Sequence, residues 1–282
     1  MQKSFIELPT KSNEICSLTM VRRVAAMLDI DTQSISKGDV LPRGWHFFML
    51  AGETQKSSLR QDGFPGLGVP LPDLGLPRLL LGGRTVSYQG SIVIGSEVER
   101  TSFVKSITEK TNSQGSMAII TIQHELRPVL IAAPAIIETQ TYILLSGKNS
   151  QSKSTQLSTS EIRNSKPKAE KQFVPDETLL FQYSALGFNS HKIHLDKEYA
   201  RNVEGLPDLV VNGGLATLLL TEFMRNELAL EIKDIKVKHS SPLFCGQAMT
   251  ITAEPKETNW QLKVVDNKNV VAIEMDANIK LT

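Results

Sequence analysis

Cysteine is nearly missing. Only Cys16 and Cys245 occur in 282 residues, far apart, so neither a disulfide framework nor a cysteine-based zinc site is expected. An excess of either charge is missing too. Lysine and arginine number 31 against 30 acidic residues, a net charge of +1. That balance gives no bulk attraction to nucleic acid or to an anionic membrane. No apolar run approaches the roughly 20 residues that span a bilayer. The start, M-Q-K-S-F-I-E-L-P-T, lacks the apolar core of a signal peptide and, with acidic Glu7, the character of a transit peptide. A cytoplasmic protein, bacterial in origin, is the expectation. At 40% hydrophobic and 22% charged residues the composition is that of a soluble globular protein. The length suits two ordinary domains or one large one.

Read in order, the chain opens with a short amphipathic helix marked by Val21, Val24, Ala25 and Leu28. A buried aromatic segment follows from Leu41 to Leu50, in which His46 reads as a packed histidine. Asp62 to Pro77 is dense in glycine and proline. It can be neither helix nor central strand and reads as a surface loop packed by its own prolines. Strand-like runs follow at Ser91–Ile94, Glu97–Lys110, Met117–Glu125 and Val129–Leu145, with a hairpin connection at Thr111–Gly115. His124 is expected on a sheet face.

From Gly147 to Lys171 apolar residues almost vanish, which marks a flexible linker. The expected division is therefore an N-terminal domain (1–148), a linker (149–171) and a C-terminal domain (172–282). The second domain reads as a strand at Thr178–Ser184, a loop, one long helix to about Leu228, and four strands: Ile232–His239, Ala248–Ala253, Trp260–Val265 and Val270–Leu281. One apolar helix followed by antiparallel strands is an α+β layer architecture.

The most informative stretch runs from Tyr183 to Gly214. Asn189, His191 and His194 fall within six positions, and V-V-N-G-G follows at Val210–Gly214. Leu215, Leu218, Leu219, Leu220, Phe223 and Met224 then recur at helical spacing, with Thr221, Glu222, Arg225, Asn226 and Glu227 on much of the other side. A glycine pair at a helix start leaves backbone N–H groups open, and these can hold an oxygen that gains negative charge. Imidazoles exchange protons near neutral pH. Together they are the equipment for chemistry beside a carbonyl or thioester. The competing reading is two surface histidines in a polar loop before a core helix. H-K-I-H (His191–His194) could hold a metal only with ligands the sequence does not single out, so no metal is expected.

This stretch resembles the active-site region of the MaoC-like dehydratases, the R-specific enoyl-thioester hydratases of the hotdog fold. Their pattern is G-D-x-N-P-x-H followed by a glycine at the central helix. Aligned on His194, Asn189 stands where that family has its catalytic aspartate, His191 where it has asparagine, Asn212 where it often has histidine, and Gly213 at the helix start. F-N-S-H-K-I-H with Y-S-A-L before it resembles a narrower group, the two-domain mesaconyl-CoA hydratase-like proteins related to mitochondrial 3-hydroxyacyl-thioester dehydratases. D-G-F-P at Asp62–Pro65, R-L-L-L-G-G at Arg78–Gly83 and S-P-L-F-C-G at Ser241–Gly246 extend the likeness over nearly the whole chain. R-L-L-L-G-G reads as a structural turn.

The resemblance implies a double hotdog, two antiparallel sheets each wrapped on a central helix, with catalysis in the second domain. The first would be a non-catalytic pocket domain of the FAS1-like dehydratase type. It implies a hydro-lyase that adds water reversibly to an enoyl thioester, mesaconyl- or itaconyl-CoA-like, or dehydrates a 3-hydroxyacyl thioester. His194, Asn189, His191 and Gly213 would be catalytic, with Gly213 N–H the oxyanion donor. Tyr183, Asn212, Gly214, Arg201 and Arg78 would bind substrate. Asparagine at the aspartate position cannot take a proton, which leaves His191 or His194 as the base. No cofactor is implied beyond CoA or acyl carrier protein as the substrate's carrier, and a homodimer is left open. A hotdog thioesterase and a non-catalytic acyl-thioester-binding protein are the alternatives.

Overall fold

The computed structural model describes residues 2–3, 8–112, 115–146 and 167–280. Residues 147–166, which include most of the expected linker, and the tip of the Thr111–Gly115 turn lie outside the described residues. Two short strands, β1 (Gln2–Lys3) and β2 (Thr10–Ile15), pair with the first long one, β4 (Glu97–Asn112). Between them lie α1 (Leu18–Met27), a 3-10 turn at Trp45–Leu50, and β3 (Arg78–Tyr88). β5 (Gly115–Pro128) and β6 (Ile136–Leu145) complete the first half. The second half holds β7 (Ala169–Phe173), α2 (Glu177–Leu186), α3 (Gly213–Asn226), β8 (Ile232–His239), β9 (Met249–Pro255), β10 (Trp260–Val265) and β11 (Val271–Ile279).

Both halves join in one antiparallel sheet of order β1-β4-β5-β6-β3-β8-β11-β10-β9-β7. The seam is β3 against β8, from Gly83↔Lys238 to Ser87↔Asp234. β5 shows why these residues make strands. Ala118, Ile120, Ile122, His124 and Leu126 are all buried, and the residues between them are not. Period two therefore turns one face inward. This double hotdog is the fold the resemblance implied.

The helical filling of the two halves is unequal. α3 is largely enclosed: Thr217, Thr221 and Glu222 are buried along with Leu215, Leu218 and Leu220. Of its polar side, Thr221 and Glu222 are buried against the other half, while Arg225, Asn226 and Glu227 are exposed. Trp45 Nε1–H donates to Glu222 Oε1 at 2.6 Å, and Arg225 pairs with the same carboxylate. Gly44, at φ 91°, lies so close that a Cβ there would collide with Thr221. The Trp45–Leu50 turn of the first half thus packs on the long helix of the second.

Five expectations are corrected. Thr178–Ser184 is helix, within α2. Its apolar run is short enough to read either way, but Asp176 caps it by accepting Leu179 N–H, and Leu180, Tyr183 and Ser184 are buried at helical spacing. Ala169–Lys171, expected as linker, belong to β7, paired on β9. Ser91–Ile94 contributes only the bridge Val40↔Val93, and the last run of the first half starts at Ile136 because Pro134 has no N–H for a ladder. R-L-L-L-G-G is the first part of β3, bulged between Leu81 and Gly83.

The glycine pair in that bulge lets strands approach from both sides. A Cβ on Gly82 would press on Ile143, and one on Gly83 would collide with the carbonyl of Val237 across the seam. Gly83→Ala is expected to destabilise the chain by about 1–3 kcal/mol, the usual cost of overpacking. Gly52→Ala, whose Cβ would meet nothing nearer than 3.8 Å, is the control. Urea unfolding of the two variants checks this.

Candidate active site

α2 ends at Gly187, and the chain turns through Phe188 at φ 47°. Asn189 N–H is held by Ser184 O at 2.8 Å, and Asn189 Oδ1 accepts His191 N–H at 3.1 Å. The side chain of Asn189 therefore builds the turn that presents His191. A 3-10 turn over Lys192–His194 follows. Val210 N–H bonds Ile193 O, while Val211 N–H bonds Leu243 O, so the strand entering α3 is pinned on both sides.

His194 is 9% exposed, and its Nδ1 lies 2.7 Å from Val210 O. A carbonyl only accepts, so Nδ1 carries the proton and Nε2 holds the lone pair. Burial, then the neighbouring His191, push its pKa down to about 3. His194 is a neutral base over the whole physiological range. His191 sits edge-on to it, ring centroids 5.5 Å apart. Burial lowers the pKa of His191 as well, opposed by Asp62.

Asp62 was not singled out by the sequence, and the loop that carries it is not merely a surface loop. Its tip docks on the histidine loop. The carbonyls of Gln61, Asp62 and Gly63 accept Lys192 Nζ, Lys192 N–H and Ser190 Oγ–H at 2.8, 2.8 and 2.7 Å. Asp62 Oδ2 lies 3.7 Å from His191 Nε2, and Phe64 packs edge-on against His191. Farther along, Leu67, Val69, Leu71, Leu74 and Leu76 cover the far ends of β4, β5 and β6, against Ile107, Ile120 and Leu144. The signal lay in the leucines and valines between the prolines, a spacing suited to covering a sheet.

Three residues beyond Val210, α3 begins. Asn212 occupies its N-cap without capping it. Its amide donates weakly to Ser184 Oγ at 3.4 Å, and its Oδ1 is buried without a partner. The first N–H groups of α3 therefore have no side-chain acceptor and carry the positive end of the helix dipole. Around them stand Leu81 and His239, which a Cβ on Gly213 would meet at 2.9 and 3.2 Å. Tyr183 and Arg84 stand against Gly214 in the same way. Burial pushes the Tyr183 hydroxyl pKa up, so it stays protonated.

The structure thus gathers His194, His191 and Asn189 in one loop, and Asn212, Gly213, Gly214 and Tyr183 at the helix start that this loop supports. Arg78 and Arg201 are not brought to the helix start. Arg201 is half-exposed and bound to Asp208 and Pro207 O, and Arg78 is at the outer end of β3. Arg84, six residues along β3, is there instead. Cys245 is buried, and burial raises its thiol pKa, as suits a packed residue.

His124 is also buried, against Ser102 Oγ at 2.8 Å, with its pKa lowered to about 4, chiefly by burial. For His124 and His194 the folded pKa lies below the unfolded value of about 6.5. Their contribution to stability is present above about pH 6.5 and is lost as pH falls towards those folded values. The slope is at most about 1.4 kcal/mol per pH unit for each group. Urea midpoints should be flat from pH 7.5 to 6.5 and fall by pH 5. His124→Gln should lessen that fall.

The chain resembles known proteins in both sequence and fold. The chain is 29% identical over 248 residues to mesaconyl-C(4)-CoA hydratase of Chloroflexus aurantiacus, covering 86% of this chain and 85% of that protein. It is 32% identical over 91 residues to the mitochondrial hydroxyacyl-thioester dehydratase type 2 of Schizosaccharomyces pombe, 31% of this chain and 30% of that one. The fold is similar to a MaoC-like dehydratase from Phytophthora capsici, with TM-score 0.71, 14% identity and 97% and 96% of the two chains covered. It is also similar to a double-hotdog protein of Mycobacterium tuberculosis, with TM-score 0.60, 10% identity and 97% and 96% covered. The family model for hydroxyacyl-thioester dehydratase type 2 matches residues 44–245, well over half of the sequence, and this chain belongs to that family.

Proposed function

We propose that this chain adds water reversibly to the double bond of a 2-enoyl-CoA thioester, with His194 as the base and the α3 N-terminus as the oxyanion site. In the hydration direction His194 Nε2 takes a proton from water. The water oxygen forms a bond to the β-carbon, the C=C π pair moves towards the thioester, and negative charge collects on its carbonyl oxygen. Gly213 N–H, uncapped at the positive end of α3, holds that charge. The proton on His194 then returns to the α-carbon, and the enolate collapses to the 3-hydroxyacyl product. Dehydration runs the same steps backwards. The Asn189 amide N–H2 orients the water, since an amide cannot take its proton. His191, steadied by Asp62 and Phe64, fixes the placement of His194.

The observation that carries this reading is the Nδ1 bond from His194 to Val210 O. It leaves Nε2 as an unprotonated base in the loop that supports an uncapped helix start. In this reading the C-terminal half, 172–282, carries the chemistry and the half at 1–148 supplies pocket walls. The relative's name favours a mesaconyl-type acyl group on CoA, used without a further cofactor. The cytoplasm is the compartment we infer for it. A homodimer is compatible with this arrangement. Among the described residues no helix is long and apolar enough to cross a membrane.

Loss of the enoyl-thioester absorbance band tests the reading, with crotonyl-CoA, mesaconyl-CoA and itaconyl-CoA as substrates. At least one should turn over, and His194→Ala should slow it by about 10²–10⁴-fold, the usual share of a general base. Release of free thiol would indicate a thioesterase, and tight binding without turnover a binding protein. The loop contact gives a second expectation. A Cβ on Gly63 would collide with Ser190 O, whereas Gly66, also at positive φ, has nothing within 4 Å. Gly63→Ala should lower kcat/KM by about 10–100-fold through displacement of the histidine loop. Gly66→Ala, with equal backbone strain, should not.

A further inference from the structure

Arg84 has no part in the steps above, yet its placement is specific. It rises from the middle of β3, opposite Gln140 on β6 and Val237 on β8. Its side chain is 10% exposed. One edge is anchored: NH1 donates to Glu138 Oε1 at 3.1 Å. Glu138 is in turn committed to His46 Nε2 at 2.8 Å and Gln140 Nε2 at 2.6 Å. Burial opposes its ionisation, but Arg84 and His46 overcome this and hold its carboxyl well below the usual carboxylate range.

The other edge of the guanidinium has no such partner. Arg84 Nε is buried with no hydrogen-bond acceptor. NH2 lies 3.3 Å from where a Cβ on Gly214 would be. A buried donor without an acceptor is destabilising, and such a group calls for an explanation. The Nε–NH2 edge is the fork that grips a carboxylate with two parallel bonds. It stands beside Gly214, the residue after the proposed oxyanion donor. Tyr183, whose hydroxyl is a second donor, stands at the same place. An acyl group whose thioester oxygen rests on Gly213 N–H would carry a carboxylate on its β-carbon into this neighbourhood.

We propose that Arg84 is the receptor for a second, free carboxylate on the acyl group, so that the site selects dicarboxylic 2-enoyl thioesters over their methyl-ended counterparts. This assignment rests on the hydratase reading of the same site. It makes the first half a determinant of specificity. Arg84, Glu138 and His46 come from there, and the oxyanion donor comes from the second half.

The test compares fumaryl-CoA with crotonyl-CoA, which differ by a carboxylate in place of a methyl group. The measured quantity is the ratio of their kcat/KM values in the wild type, Arg84→Met and Arg84→Lys, each checked for a cooperative thermal transition. The wild type should favour fumaryl-CoA at least about tenfold. Arg84→Met should lower the ratio by about 10–100-fold, the worth of hydrogen bonds to a charged group. Arg84→Lys, which keeps the charge without the fork, should fall between. If Arg84→Met does not fold, the lysine variant decides alone: an unchanged ratio overturns the proposal. So does a wild type without preference, or an equal loss on both substrates in Arg84→Met. Turnover of none of fumaryl-, crotonyl-, mesaconyl- and itaconyl-CoA by the wild type overturns the hydratase reading, and the assignment with it.

Discussion

The pairing of β3 with β8 is the constraint on which the rest depends. Five residue pairs, from Gly83↔Lys238 to Ser87↔Asp234, turn two half-sheets into one. The same strand carries Leu81 and Arg84 to the start of α3, a helix that belongs to the other half. Had β3 been a turn, neither side chain would reach Gly213 or Gly214. The two glycines of the bulge allow the approach, because a side chain there would strike Ile143 or Val237.

Around that seam the two halves divide their tasks unevenly. The second half encloses one long helix and leaves its N-terminus uncapped. The first half places its Trp45–Leu50 turn on the helix through the Trp45–Glu222 hydrogen bond. Buried polar groups concentrate at the junction: Glu138, His46, Gln140, Asn212 and the side chain of Arg84. Burying such groups is expensive unless they are paired. Each has at least one partner here, yet three of the five keep an unpaired atom: His46 Nδ1, Asn212 Oδ1 and Arg84 Nε. Asn212 Oδ1, Arg84 Nε and His239 Nε2, all without a partner, belong to side chains at the start of α3, the place proposed above for the developing charge.

Much of this was legible in the sequence. Period-two burial marks β5, and the leucines of α3 recur at helical spacing after a glycine pair. The spacing of Asn189, His191 and His194 identifies the loop. What escaped was tertiary. The α2 segment, T-L-L-F-Q-Y-S, is too short for its period to choose between strand and helix, and the cap at Asp176 decides. Asp62 and Arg84 lie about 130 residues before the groups they face in the second half, and no local pattern links them. Arg201 and Arg78 were reasonable choices by charge alone. The sequence could not show that Asp208 already engages Arg201, nor that β3 points Arg84 inward.

The docking of the Gly/Pro loop on the histidine loop is made mainly through the main chain of its tip: three successive carbonyls, those of Gln61, Asp62 and Gly63, accept from Lys192 and Ser190. Main-chain acceptors are present whatever side chain is attached. Across divergent descendants, position 61 can therefore drift freely in identity without loosening the histidine loop. Position 63 cannot, because the contact leaves no room for a Cβ. Evolutionary latitude at this junction is thus uneven from one residue to the next, and a protein can change much of its loop while keeping its histidines in register.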